Sequence, residues 1–205
     1  MTNRIRISVA ARCRVVVKDR YALIISLNGL KRGERSLAPI GGGVKTTEAG
    51  KQHLIDEFGV DPESFEKGYD LRFRLPEERL DDFRVWLETT HELETDTAAR
   101  EFYDEVVDER RLLPSGLARQ VTFTRTALHD SQMRLWSYLG DKLELVDTHA
   151  FEWIYAASLP LAVEEELVQA TLQPEPLIEL VTEDEIKEGC SPLSNISNWT
   201  TLLLS

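Results

Sequence analysis

The stretch Thr97–Glu109, TAAREFYDEVVDE, sets an arginine directly before a glutamate and places two further carboxylates, Asp104 and Glu105, one helical turn later. Read as an α-helix, it brings Glu101, Asp104 and Glu105 to positions i, i+3 and i+4, so their carboxylates leave on one face within reach of a shared cation. A hard divalent ion such as Mg²⁺ takes oxygen ligands and keeps waters or substrate phosphates for the rest of its shell. The same residues also describe a solvated helix of an acidic protein, with Arg100 paired to Asp104 across one turn as an ordinary salt bridge. From the carboxylates alone the solvated helix is the commoner outcome, so the choice rests on what surrounds the stretch.

The chain has 205 residues, 42% of them apolar, which predicts one domain with a real core over residues 1–205. A formal net charge of −12 excludes a binder of nucleic-acid polymers, which needs a basic surface, but leaves room for a small nucleotide held through a divalent cation. Cys13 and Cys190 form no zinc spacing and no disulfide framework. The N-terminus lacks a long apolar segment and no run is long enough to span a bilayer, so the expectation is a cytoplasmic protein with no membrane partner. A homodimer is left open.

Upstream of the stretch, Ile5 to Val17 and Tyr21 to Leu27 read as paired antiparallel strands around a polar KDR turn. A basic loop follows, then LAPIGGGVK, whose glycines Gly41, Gly42 and Gly43 resist ordinary helix or strand and predict a loop. Thr47 to Phe58 is helical by period, with Gly59 placed to stop it. DLRFRLP alternates as a short strand ending at Pro76, and EERLDDFRVWLE puts Leu80, Phe83, Trp86 and Leu87 at helical spacing. Beyond Pro114, ARQVTFTRTAL, MRLWSYLG, KLELVD and FEWIYAASLP predict four strands. LIELVTEDEIKEG predicts a strand entering a capped helix, and NISNWTTLLLS a closing helix. This order of elements predicts an α+β or α/β/α sandwich fold with a mixed sheet.

Glu92 precedes Arg100 by the interval E-x7-R, and a glycine-rich segment after a strand lies upstream. With Glu101, Phe102 and Glu105 in place and Asp104 standing for a glutamate, the chain resembles the Nudix family, whose box reads G-x5-E-x7-R-E-U-x-E-E-x-G-U, U being bulky and apolar. The resemblance runs through most of the chain, from SVAARCRVVVKDRYALIISLN to NISNWTTLLL. It departs in two places: Val107 stands where the box ends in glycine, and an α/β insert of about residues 44–95 separates the glycines from the helix. The insert, with a late REF-x-x-E, is similar to the SMODS-associated NUDIX group of bacterial nucleotide-signalling and defence systems.

A rival alignment takes QHLIDEFGV, from Gln52, as the end of the box. It avoids the insert but leaves too few carboxylates for a metal and makes the domain inactive, and Gly59 is already explained as a helix stop. The later helix is preferred. The resemblance then implies a hydrolase that cleaves a diphosphate linkage in a nucleotide-type substrate with Mg²⁺ or Mn²⁺. Asp104 and Glu105 are implied metal ligands, Glu101 a ligand or the residue orienting water, and Arg100 a brace for the carboxylates. Gly41, Gly42 and Gly43 let backbone approach metal and phosphate. The alternative is a nucleotide-binding sensor with little turnover, which the altered box permits. His53, His91, His129 and His149 share no ligand spacing and read as surface or packed residues. Glu164–Glu166 reads as a solvated helix start. Trp86, Trp136, Trp153 and Trp199 read as core, one of them near the pocket.

Overall fold

Local punctuation fixes much of the chain. In the computed structural model, which describes residues 3–139 and 142–205, Thr47 accepts a hydrogen bond from Gly50 N–H at the start of a helix, and Gly59 closes it at φ 66°. Thr182 and Glu185 form a reciprocal capping box, and Gly189 ends that helix at φ 76°. In chain order the elements are β1 (Arg4–Arg14), β2 (Val16–Val17), β3 (Arg20–Ile25), α1 (Leu27–Lys31), β4 (Ser36–Ala38), β5 (Ile40–Gly43), α2 (Glu48–Phe58), β6 (Arg72–Pro76), α3 (Leu80–Thr89) and α4 (Thr97–Tyr103). A π-helical turn, Asp104–Glu109, continues α4. Then come α5 (Ser115–Ala118), β7 (Thr122–Leu139), β8 (Lys142–Ser158), α6 (Leu161–Thr171), β9 (Ile178–Val181), α7 (Glu183–Glu188), β10 (Asn195–Ile196) and a 3₁₀ segment, Asn198–Leu204.

The fold is α+β with mixed pairing. One sheet has the order β5-β1-β8-β7, with β6 antiparallel to β1 from Arg4 opposite Pro76 to Ser8 opposite Arg72. The other has the order β10-β4-β3-β2, with β9 also on β3 from Tyr21 opposite Val181 to Ile24 opposite Ile178; β10 runs parallel to β4.

The chain divides into two compact units. One takes the chain to Ala10, Gly43–Thr97 and Leu128–Glu152; the other takes Ala11–Gly42, Ala98–Ala127 and Trp153–Ser205. The first is built on aromatics. Phe73, Phe83 and Phe151 are fully buried, and Phe83 stands edge-on to Phe73 at 5.6 Å and to Phe151 at 5.5 Å while stacking on Trp86 at 5.7 Å. Such pairs add roughly 0.5–1.5 kcal/mol each beyond the burial of their surface. The second unit packs Phe102, Val106, Val163, Leu167 and Ile178 in one cluster and Leu23, Ile25, Leu37 and Ile154 in another. Among the described residues no helix is long and apolar enough to cross a membrane.

Four expectations need correction. β1 and β3 do not pair along their lengths. The hairpin is short: residues 15–17 meet residues 20–22 across a two-residue turn in which Lys18 and Asp19 take φ of 49° and 63°. Leu27 opens α1 instead of ending a strand, because Ser26 accepts from Gly29 N–H and caps a short helix. The glycines do not form a loop: Ile40–Gly43 is a strand. The four strands after Pro114 are two long ones, β7 and β8, because the residues at the joins, 129–132 and 148–150, include no glycine or proline to break the strand. The side chain of Trp136 lies outside the described residues.

Candidate functional site

Ala98, Phe102 and Val106 recur every fourth residue and are buried in the second unit. That stripe fixes the rotation of α4, and Glu101 and Glu105, also four apart, fall together on an adjacent face. They meet β5. Gly41 N–H donates to Glu105 Oε2 at 2.8 Å, and a Cβ on Gly42 would lie 2.1 Å from Glu101 Oε2. A Cβ on Gly41 would lie 2.1 Å from the Ala11 carbonyl oxygen, and Gly41 has φ +149°. Glycine is therefore required at position 41 by neighbouring backbone, while at position 42 a Cβ would displace the Glu101 carboxylate from its place. Gly43 is buried beside Asp70 and Arg72 in the first unit.

Arg100 donates to Glu101 Oε1 at 2.6 Å and lies 3.5 Å from Asp104 Oδ2. It braces Glu101, whose side chain is 14% exposed, and Asp104, which at 47% is nearly half in solvent. After Tyr103 the backbone widens into the π-helical turn, which the sequence reading took for continued α-helix; such turns recur at functional sites. Arg110 is buried at its end and donates to the Ile25 carbonyl at 3.0 Å, to the Glu105 carbonyl at 3.1 Å and to Glu109 Oε2 at 3.0 Å. Arg111 then turns the chain at φ 54°, where glycine would ordinarily stand.

Burial pushes the Glu105 carboxyl up to about 7, and the negative charges of Glu101 and Glu109 push the same way, against the Gly41 N–H and Arg110. A carboxyl so placed is held short of full ionisation at neutral pH, and a nearby cation would favour its charged form. Among the described residues no three Asp, Glu, His or Cys side chains converge as a ready metal cage. Glu101 and Glu105 nonetheless fit a hard cation in donor type and in placement, both against the same pair of glycines, while Asp104 is turned towards Arg100.

A cavity of about 350 Å³ in the second unit reaches Gly41, Glu105 and Glu109. It is also lined by Arg12, Lys31, Arg110 and Trp199, with the Arg12 guanidinium 5.2 Å from the centre of the Trp199 ring. Sequence reasoning assigned none of the three cations to the site, because each comes from a segment with an ordinary local role. Of the four tryptophans, read as core with one near the pocket, Trp199 is half-buried in the cavity wall.

Glu92, the upstream glutamate of the E-x7-R interval, lies in the first unit, where its carboxylate takes the Trp86 indole N–H at 3.4 Å and stands 3.6 Å from His53. His149 is buried and bonded to Asp130. Cys13 is buried and its thiol pushed up by that burial; Cys190 is exposed, and both are free.

A helix thus carries paired carboxylates over a glycine strand, beside a cavity lined by cations. The family model described as SMODS-associated NUDIX domain matches residues 4–204, and the chain belongs to that family. No curated protein and no solved structure gave a match.

Proposed function

We propose that the protein is a metal-dependent hydrolase that cleaves a diphosphate linkage in a nucleotide-type substrate, with the reaction centred on Glu101 and Glu105. The observation that carries this is the double closure of the two carboxylates on Gly41 and Gly42, which a merely solvated helix does not need. Glu101, Asp104 and Glu105 would hold Mg²⁺ or Mn²⁺, which when bound neutralises phosphate oxygens and makes the attacking water more acidic. The chain's own part is positioning. Arg100 holds Glu101 in place, Arg110 ties the carbonyl of Glu105 to the end of β3, and the bare glycine backbone leaves no side chain between the carboxylates and a ligand. Water adds to one phosphorus, the bridging P–O bond breaks, and the proton released is accepted by a carboxylate or by solvent.

A second reading, a nucleotide sensor with little turnover, is favoured by one observation: Asp104 faces Arg100, so the third ligand is not preset. The substrate, the defence context and a homodimer belong to this proposal as well. Incubation with nucleotides, dinucleotides and nucleotide sugars with Mg²⁺ or Mn²⁺, followed by product chromatography, tests it. Products that vanish with chelator support the hydrolase. Tight binding without products under either metal selects the sensor.

A further inference from the structure

The cavity carries more cations than carboxylates, Arg12, Lys31 and Arg110 against Glu105 and Glu109, in a chain whose net charge is −12. That local excess selects an anionic ligand. The three cations differ in what they already do. Arg110 is engaged by two carbonyls and by Glu109, and Arg12 lies over Trp199. Lys31 ends α1 in the basic segment Lys31–Arg35, whose two arginines are paired elsewhere, Arg32 with Glu34 at 3.3 Å and Arg35 with Glu179 at 3.0 Å. The Lys31 side chain is exposed, lines the cavity and makes no ion pair or hydrogen bond among the described residues.

The backbone that carries it is held in place. A Cβ on Gly29 would lie 2.7 Å from Ser36 Oγ and 2.9 Å from the Glu34 carbonyl oxygen, so α1 is pressed onto the segment that follows it. Arg32 and Glu34 N–H both donate to the Gly29 carbonyl, which closes the turn beneath Lys31. A compact ammonium on such a support recognises phosphate by charge and has little to offer a neutral sugar.

On the reading of this cavity as a nucleotide site, we infer that Lys31 determines specificity: it receives a phosphate at the end of the bound nucleotide and favours phosphate-ended ligands over sugar-ended ones. The test is calorimetric binding of methylene-bridged analogues in matched pairs, ATP with ADP-ribose and UTP with UDP-glucose, in the presence of Mg²⁺. Wild-type protein should prefer the triphosphate of the pair it binds. In Lys31→Ala that preference should shrink about tenfold, the scale of one charge-assisted contact, and Lys31→Arg should restore most of it. A preference unchanged in Lys31→Ala, or a wild-type preference for the sugar-ended analogue, overturns the inference and leaves the nucleotide site standing. Failure of the wild-type protein to bind any of the four overturns both.

Discussion

Helix α2 and the helix that begins at Thr97 each carry an aspartate–glutamate pair, Asp56–Glu57 in the last turn of one and Asp104–Glu105 at the start of the π-helical turn of the other. In α2 both acids are exposed, Gln52 donates to Asp56 Oδ1 at 2.8 Å along the helix, and Gly59 stops the helix by returning its N–H to the Leu54 carbonyl. Among the described residues neither of these two carboxylates has a partner outside its own helix. In the second helix Glu105 is drawn onto the Gly41 amide, Glu101 onto Gly42, and the backbone leaves α geometry at Asp104. The same residue types thus serve a solvated surface in one place and a polar recess in the other. What separates them is the glycine strand that lets backbone approach the carboxylates.

The comparison breaks most visibly at the glycines. Gly41→Ala should cost more than about 3 kcal/mol or prevent folding, because its Cβ meets backbone in a conformation L residues avoid. Gly59→Ala, with nothing nearer than Pro76 Cγ at 3.8 Å, should cost only about 1 kcal/mol for the left-handed cap. Denaturant unfolding of the two variants checks the contrast, and equal losses would mean that β5 does not need its glycine.

A smaller effect follows from Glu105, whose folded carboxyl sits near 7 against an ordinary 4.5. Between those values the folded chain keeps a proton that the unfolded chain gives up, so this group's contribution is present below about pH 4.5 and is lost as pH rises towards 7. Without divalent metal, Glu105→Gln should therefore gain on the order of 2–3 kcal/mol in stability at pH 8 relative to its effect at pH 4. Urea midpoints at the two pH values decide this. An Asp56→Asn control in α2, measured alongside, sharpens it.

Smallest is Arg111→Gly. Arg111 holds φ 54°, and relieving it should stabilise by about 1 kcal/mol, seen as a higher urea midpoint. An unchanged or lower midpoint would show that the Arg111 side chain contributes more than its backbone costs.

Much of α2 was legible because its signals are local: Thr47 caps it, Leu54 and Phe58 supply the buried face, and Gly59 ends it. The shared face of Glu101 and Glu105 was legible for the same reason, their spacing being a property of one segment, whereas the turn of Asp104 towards Arg100 was not. The π-helical turn was not, since DEVVDE has an acceptable α pattern and the departure accompanies tertiary hydrogen bonds of Arg110 with Ile25. Nor was the strand at Ile40–Gly43, where propensity argues against sheet and close contacts with Ala11 and Glu101 prevail. Arg12, Lys31, Arg110 and Trp199 share a cavity although long stretches of chain separate them, a meeting that no local pattern encodes.

The most direct measurement compares Glu105→Gln with Glu57→Gln in Mg²⁺-dependent hydrolysis of whichever nucleotide the wild-type protein cleaves. Each substitution removes one carboxylate charge and keeps the side chain's shape. Glu105→Gln should lower the rate by about a hundredfold or more, the cost of losing an anionic ligand at a metal-assisted centre, while Glu57→Gln leaves it near wild type. The reverse pattern would place the chemistry on α2 and contradict the assignment of the later helix.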